Sequence, residues 1–402
     1  MSRPRLLVLR ALYLGDFLTG VPAYRALRRA YPDHETVLAA PAPLAPLVPL
    51  TGAFDRHLPA GELEPLDWAG PPPDVAVDLH GRGWRSHTLL ERLRPGRLIA
   101  FDADDRPDGP PGPAATAGPP RPGGAPVRWR AGEHEVERWC RLLVEHGIPA
   151  DPTDLLLPLP LPAPPAGGAR SPGSRRPADR RGVPADPWAG TRALPGLPGL
   201  PAGRPGAAPG ERGYVVVHPG AAAPARRWPM ERFAAVAREL ASAGRHVVVT
   251  GGADEEYLAA EVVRQADLPA AALLAGRTDL AALARVVAGA DLVVCGDTGT
   301  AHLASAFARP SVVLFGPVPP REWGPPPRPF HVALHAAPDG YRGDPHGAVT
   351  DPALEALGVP EVLDACARAL AAADARARPA AAAPPGPLRP PPPLTRVPGP
   401  TP

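Results

Sequence analysis

Three loops in the second half of the chain carry residue types suited to a phosphorylated ligand. The first reads C-G-D-T-G-T-A-H-L-A from Cys295 to Ala304, after an apolar run and at the start of a helical pattern. Its small residues let backbone approach a ligand closely, and the N–H groups at a helix start carry partial positive charge. Asp297, Thr298, Gly299 and Thr300 therefore suit a diphosphate, while Asp297 and Thr298 equally suit capping of the helix. The second loop, His218 to Trp228, places Arg226 and Arg227 beside the next helix start. A guanidinium there would neutralise charge growing on a leaving diphosphate; solvent-facing arginines are the competing reading. The third, Gly251-Gly252-Ala253-Asp254-Glu255, offers a carboxylate to a ribose hydroxyl or, more simply, to a helix cap.

The first half contributes Asp16, in the loop Leu14-Gly15-Asp16 after the first apolar run. A carboxylate at a strand end, facing a second domain, can take a proton from an acceptor hydroxyl, although a lone Asp there also reads as a cap. His218 and His302 lie near the same loops and suit hydrogen-bonded structural roles as well. The pair Asp102-Ala103-Asp104 could hold a metal-bridged diphosphate, but it opens a Pro/Gly-rich loop, and a solvated loop is expected. Cys140, Cys295 and Cys366 are too few and too far apart for a disulfide framework or a zinc site, which suits a reducing cytoplasm. Neither a metal nor a cofactor is expected.

Alternating strand and helix signals must position these residues. In the first half, strand-type runs fall at Arg5–Arg10, Thr36–Ala40, Asp74–Leu79 and Arg97–Phe101, with helical patterns at Pro22–Tyr31, Trp84–Leu93 and Glu133–His146. In the second, Tyr214–His218, Arg245–Thr250, Leu292–Cys295 and, as the last strand, Ser311–Phe315 alternate with helices starting near Pro229, Asp254, Asp279 and Gly299. This succession implies an α/β fold of two doubly wound, Rossmann-like domains with ligand loops at the carboxyl ends of the strands. The expected limits are an N-terminal domain over 1–161, a linker over 162–212, a C-terminal domain over 213–378 and a tail over 379–402.

Composition supports those limits. The chain has 402 residues with 64 Pro and 42 Gly, concentrated near 103–126, which reads as a long loop, and in 162–212 and the tail, where little apolar surface offsets chain entropy and disorder is expected. Basic and acidic residues number 43 and 41, so no global field points to nucleic acid. No Lys or Asn occurs, a bias of GC-rich coding rather than of chemistry. The N-terminus, M-S-R-P-R-L-L-V-L-R, resembles a signal peptide only briefly before Asp16 intervenes, and no run reaches the roughly 20 apolar residues of a membrane span. A cytoplasmic protein is expected, with peripheral contact to the inner membrane face. The Arg-rich tract Ser174–Arg181 could touch anionic lipid, though a solvated linker is the plainer reading.

The ordered motifs resemble glycosyltransferase family 9, the ADP-heptose:lipopolysaccharide heptosyltransferase family. They are R-L-L-V-L-R with Leu14-Gly15-Asp16, P-A-Y-R-A-L-R-R-A-Y-P at Pro22–Pro32, H-E-V-E-R-W at His134–Trp139 and H-P-G at His218–Gly220. R-R-W-P at Arg226–Pro229, D-T-G-T-A-H-L-A at Asp297–Ala304, P-S-V-V-L-F-G-P at Pro310–Pro317 and W-G-P at Trp323–Pro325 follow. The resemblance implies a GT-B fold whose two domains face a cleft, and inverting transfer without a tightly held metal. The donor nucleotide would sit on the C-terminal domain and a glycan or glycolipid acceptor on the N-terminal one. It casts Asp16 as the base, Arg226 as the basic residue at the diphosphate where the family commonly has Lys, and Glu255 as the ribose or base contact. Asp297, Thr298, Gly299 and Thr300 become the phosphate loop, with His302 beside it. A dehydrogenase would instead show G-x-G-x-x-G after the first strand, where this chain reads A-L-Y-L-G-D. A non-catalytic nucleotide-sugar-binding scaffold of a glycan cluster is the remaining alternative.

Overall fold

The computed structural model describes residues 3–102, 127–159 and 213–377. The expected linker 162–212, the tail 379–402, the Arg-rich tract 174–181, the loop 103–126 and Asp104 lie outside the described residues. In the N-terminal half the elements are β1 (Arg5–Leu9), α1 (Leu14–Thr19), α2 (Val21–Ala30), β2 (Glu35–Ala40) and β3 (Arg56–Pro59). They continue with β4 (Val75–Asp78), α3 (Trp84–Glu91), β5 (Arg97–Ile99) and α4 (Glu135–Glu145). The C-terminal half holds β6 (Tyr214–His218), α5 (Met230–Ser242), β7 (His246–Val249), α6 (Glu256–Gln265), α7 (Leu280–Ala288) and β8 (Leu292–Gly296). It ends with α8 (Gly299–Ala306), β9 (Ser311–Leu314), α9 (Pro320–Trp323), β10 (His331–Leu334), α10 (Pro352–Glu355) and α11 (Val359–Ala377).

Each half is a five-stranded sheet, ordered β3-β2-β1-β4-β5 and β10-β9-β8-β6-β7, and every strand pair is parallel. Strand residues alternate between two buried faces. Leu6 and Val8 of β1 join a core with Phe17, Tyr24 and Trp139, whereas Leu7 and Leu9 pack toward Leu89 and Leu90 of α3. In β6, Val216 faces Val293 and Leu303, whereas Val215 and Val217 face Phe233, Val262 and Val362. Covering both faces with helices is what parallel sheets require, and it makes the strands near-continuous apolar runs. One of these cores runs from the N-terminal sheet into the C-terminal one through α1 and α8, so the two halves meet over packed side chains.

The order of each sheet reverses once, between β1 and β4 in the first and between β6 and β8 in the second. Ligand sites form at such reversals, beyond the carboxyl ends of the flanking strands. Asp16 follows β1, the Arg226 loop follows β6, and the Asp297–Thr300 loop follows β8.

Three sequence expectations need correction. The segment after β1 is not a loop, because Leu14–Thr19 form a short helix that runs into α2 at Gly20. Gly15 within it and Gly20 at its end hide it from propensity, and contact with α8 stabilises it. Ser311–Leu314 is not the last strand: the four-residue edge strand β10 pairs with it beyond a Pro-rich stretch, too short to show a period. The strand β3, also four residues long, lacks a sequence signal for the same reason. Toward the other limit of the N-terminal domain, Leu157 N donates to Ala306 O (2.9 Å), so the chain at Leu157 docks on α8.

Candidate active site

Asp16 is the third residue of α1, and that helix has no side-chain cap hydrogen bond; its N-cap is Tyr13. The capping role is thus not what the carboxylate does. Its side chain retains 23 % exposure beside an entirely buried Arg10, with Arg10 Nη2 3.7 Å from Asp16 Oδ1. Burial raises the Asp16 carboxyl above its ordinary value, and the Arg10 charge pulls it back down. The cleft brings a second cation and a second carboxylate within electrostatic reach, since Arg226 also acts on Asp16 and Asp16 acts on Asp297. These three residues come from different halves of the chain.

The approach of the halves depends on two glycines. A Cβ on Gly299 would lie 2.9 Å from the Leu14 side chain, and one on Gly15 would lie 3.0 Å from the His302 ring. The starts of α1 and α8 therefore abut directly, one carrying Asp16 and the other carrying the loop expected at phosphate. His302 stacks edge-on against Trp323, with ring centroids 5.8 Å apart, and burial lowers its imidazole to about 4. It is a neutral packing group between α1 and the W-G-P turn. A further bridge comes from His134, whose Nε2 donates to Gly324 O across the halves (3.0 Å) while Nδ1 accepts from Val136 N.

On the C-terminal side, Arg226 ends a short turn (Pro224–Arg226) and its guanidinium donates to the Asp297 carbonyl. Its Nη2 also lies 3.9 Å from Asp297 Oδ2. Arg227 instead donates to Ala221 O (2.8 Å) and orders its own loop. Asp297 and Thr298 are mostly buried; Thr298 stands at the N-cap of α8, but neither side chain makes the cap bond that the loop's composition allows. Burial raises Asp297 to about 6, with Arg226 opposing the rise and Asp16 adding to it. Thr300 is buried in the first turn of α8.

Glu255 lies at the mouth between the loops after β6 and β7. One oxygen, Oε2, accepts from Gly252 N (2.8 Å), so here the capping expectation holds. The same oxygen is 3.9 Å from His218 Nε2, and the carboxylate packs where a Cβ on Gly220 would stand. The His218 ring is buried, meets Thr250 Oγ1 through Nδ1 (3.1 Å), and is held below its ordinary value by that burial. Among the described residues no set of three His, Cys, Asp or Glu side chains gathers as metal ligands. Among them, too, no helix is long and apolar enough to cross a membrane.

Sequence reasoning missed Arg10, Glu135 and Arg138, which are buried behind Asp16. The available signal was the charged H-E-V-E-R-W stretch on a helix whose apolar stripe already accounted for its packing.

Comparison with known proteins places this geometry. The model of glycosyltransferase family 9 (heptosyltransferase) matches residues 126–333, just over half of the chain. Lipooligosaccharide heptosyltransferase 2 of Haemophilus influenzae is 37% identical over 118 residues, 28% of this chain and 34% of the relative. Lipopolysaccharide heptosyltransferase 2 of Escherichia coli K12 is 34% identical over 114 residues, 27% of this chain and 33% of the relative. These alignments span about a third of the length of those relatives. The solved structure of E. coli ADP-heptose lps heptosyltransferase II superposes with a TM-score of 0.60 at 20% identity, covering 91% of this chain and 98% of that one. A glycosyltransferase family 9 structure from Veillonella parvula gives 0.60 at 18% identity, covering 92% and 97%. With two parallel-sheet domains in the GT-B arrangement and a family match across most of the described C-terminal half, the chain belongs to glycosyltransferase family 9.

Proposed function

We propose that the protein is an inverting glycosyltransferase that moves heptose from ADP-heptose to a glycolipid acceptor of the lipopolysaccharide type. The observation that carries this reading is the placement of Asp16 against the Arg226–Asp297 loop pair, across the junction of α1 and α8. Family membership and the names of the relatives support the sugar and the acceptor class. A solved neighbour, an E. coli heptosyltransferase with ADP, supports the nucleotide. The protein works in the cytoplasm, against the inner face of the membrane where such an acceptor is presented.

In this mechanism the acceptor hydroxyl lies at Asp16 and the anomeric carbon of the donor lies between Asp16 and Arg226. Asp16 takes the hydroxyl proton as the oxygen forms its bond to the anomeric carbon. The bond from that carbon to the diphosphate oxygen breaks on the opposite face, and its electron pair leaves on ADP. Arg226 and the N–H groups at the start of α8 meet the growing negative charge. Glu255 and Thr298 to Thr300 hold the nucleotide and diphosphate.

The test is transfer of labelled heptose from ADP-heptose to a heptose-free glycolipid, with the anomeric configuration of the product read by NMR. Asp16→Asn should lower turnover roughly 10²–10⁴-fold, the usual contribution of a general base, and leave donor affinity unchanged. Tight donor binding without transfer by the wild type would favour the scaffold. Near-wild-type turnover in Asp16→Asn would remove the base.

A further inference from the structure

The H-E-V-E-R-W stretch has a task that the reaction above leaves unused. Glu135 and Arg138 are only 4 % and 6 % exposed, which is rare for charged side chains unless they are paired. Glu135 Oε1 accepts from Trp139 Nε1 (2.8 Å) and from Arg10 Nη2 (3.0 Å), and Oε2 accepts from Arg138. Arg10, fully buried, lies over the Trp139 ring with 4.6 Å to its centroid. Its Nε donates to Asp16 O (2.8 Å), Nη1 to Leu79 O and Nη2 to Thr19 Oγ1 (3.1 Å). One planar fork thus ties the ends of β1 and β4, which flank the reversal of the first sheet, to the helix that carries Asp16.

We propose that Arg10, fixed by Glu135, is the positioning residue for Asp16, holding its carboxylate in place and charged at the cleft. This rests on the reading of Asp16 as the base. A buried ion pair is a poor device for stability alone, because well-packed apolar residues often do as well or better. The position of this one, in contact with the helix turn that bears Asp16, gives it a different use. A guanidinium rather than an ammonium is needed, since four acceptors are met from the three nitrogens of one rigid plane.

The groups that act on Asp16 come from every side: Arg10 after β1, Tyr24 on α2, Glu135 on α4, and Arg226 and Asp297 from the C-terminal loops. His80, after β4, faces Arg10 and is held neutral by burial, at about 4. Of the charged groups, Arg10 lowers the Asp16 carboxyl most and Glu135 raises it. The two partners should therefore shift the acidic limb of kcat/KM in opposite directions.

The experiment compares pH profiles of the full chain with Arg10→Lys, Glu135→Gln and the charge-neutral double variant Arg10→Met/Glu135→Gln. Loss of an opposite charge at this distance should raise the limb by about one to three pH units in the double variant, less what Glu135 had contributed. Glu135→Gln alone should lower it, and Arg10→Lys should leave it near its place while reducing turnover. Asp297 keeps its surroundings in all variants, so differences from wild type report Asp16. If the double variant fails to fold, the direction of the Glu135→Gln shift still decides the matter. Limbs that coincide in all folded variants would overturn the proposal while Asp16→Asn remained inactive. An active Asp16→Asn would instead overturn the base reading on which it rests.

Discussion

Asp297→Asn should stabilise the protein at neutral pH while impairing transfer. Burial in the loop after β8 raises the Asp297 carboxyl from 3.8 to about 6, and the nearby Arg226 only partly opposes this. A group whose folded value lies above its unfolded value binds a proton more tightly when folded. Its ionisation therefore opposes folding, and stability falls as pH rises from the unfolded value through the folded one. A difference of about two pH units at 1.36 kcal/mol each is on the order of 2–3 kcal/mol above pH 6. Asn keeps the shape and removes the charge. For a domain of this size that corresponds to a gain of roughly 5–10 °C in Tm. The assay is paired thermal and urea denaturation of wild type and variant between pH 4 and 8. The stability difference should be near zero at pH 4, grow through pH 5 and level off above pH 6. A variant no more stable than wild type at pH 7.5, or a difference that does not change with pH, would refute the reasoning. Stability gained together with slower transfer is the signature of a carboxylate retained for function.

Two further outcomes probe the same junction. Arg226→Ala should weaken donor binding by about 1.5–3 kcal/mol in a calorimetric titration, the cost of losing one charged hydrogen bond, and Arg227→Ala should weaken it less because Arg227 is engaged with Ala221. Gly299→Ala should lower stability by about 1–3 kcal/mol and slow transfer, because the new Cβ meets Leu14 at the α1–α8 contact, and Leu14→Ala in the same chain should restore part of both; wild-type behaviour of Gly299→Ala would show that the halves need not approach so closely.

Much of the scaffold is written locally in the chain. Tyr214–His218 is an apolar β-branched run buried on both faces, and its limits in the structure are those that its composition marks. The same holds for the helix from Met230, whose apolar stripe of Phe233, Val236, Ala237 and Leu240 is the face that packs. The polar loops were also legible, because a parallel sheet puts its functional loops at strand ends and these loops are rich in Gly and charge. What local sequence does not show is what depends on the partner half. The helix α1 has little propensity of its own and exists against α8, so Asp16 reads as a loop residue until that contact is known.

Arg10 illustrates the limit most fully. At the end of R-L-L-V-L-R it looks like the polar boundary of a strand, where a solvated arginine would be unremarked. Its three partners other than Asp16 and Thr19 lie between 69 and 129 residues downstream, at Leu79, Glu135 and Trp139, with Arg138 behind Glu135. No period or spacing joins them; only the crossing of β1 beside β4, with α4 packed near α2, brings them into one place. Burying so many charges is costly unless every donor finds an acceptor. Here that cost is met directly behind Asp16, the carboxylate on which both Arg10 and Arg226 act. The placement is more readily explained by the chemistry of Asp16 than by the stability of the fold.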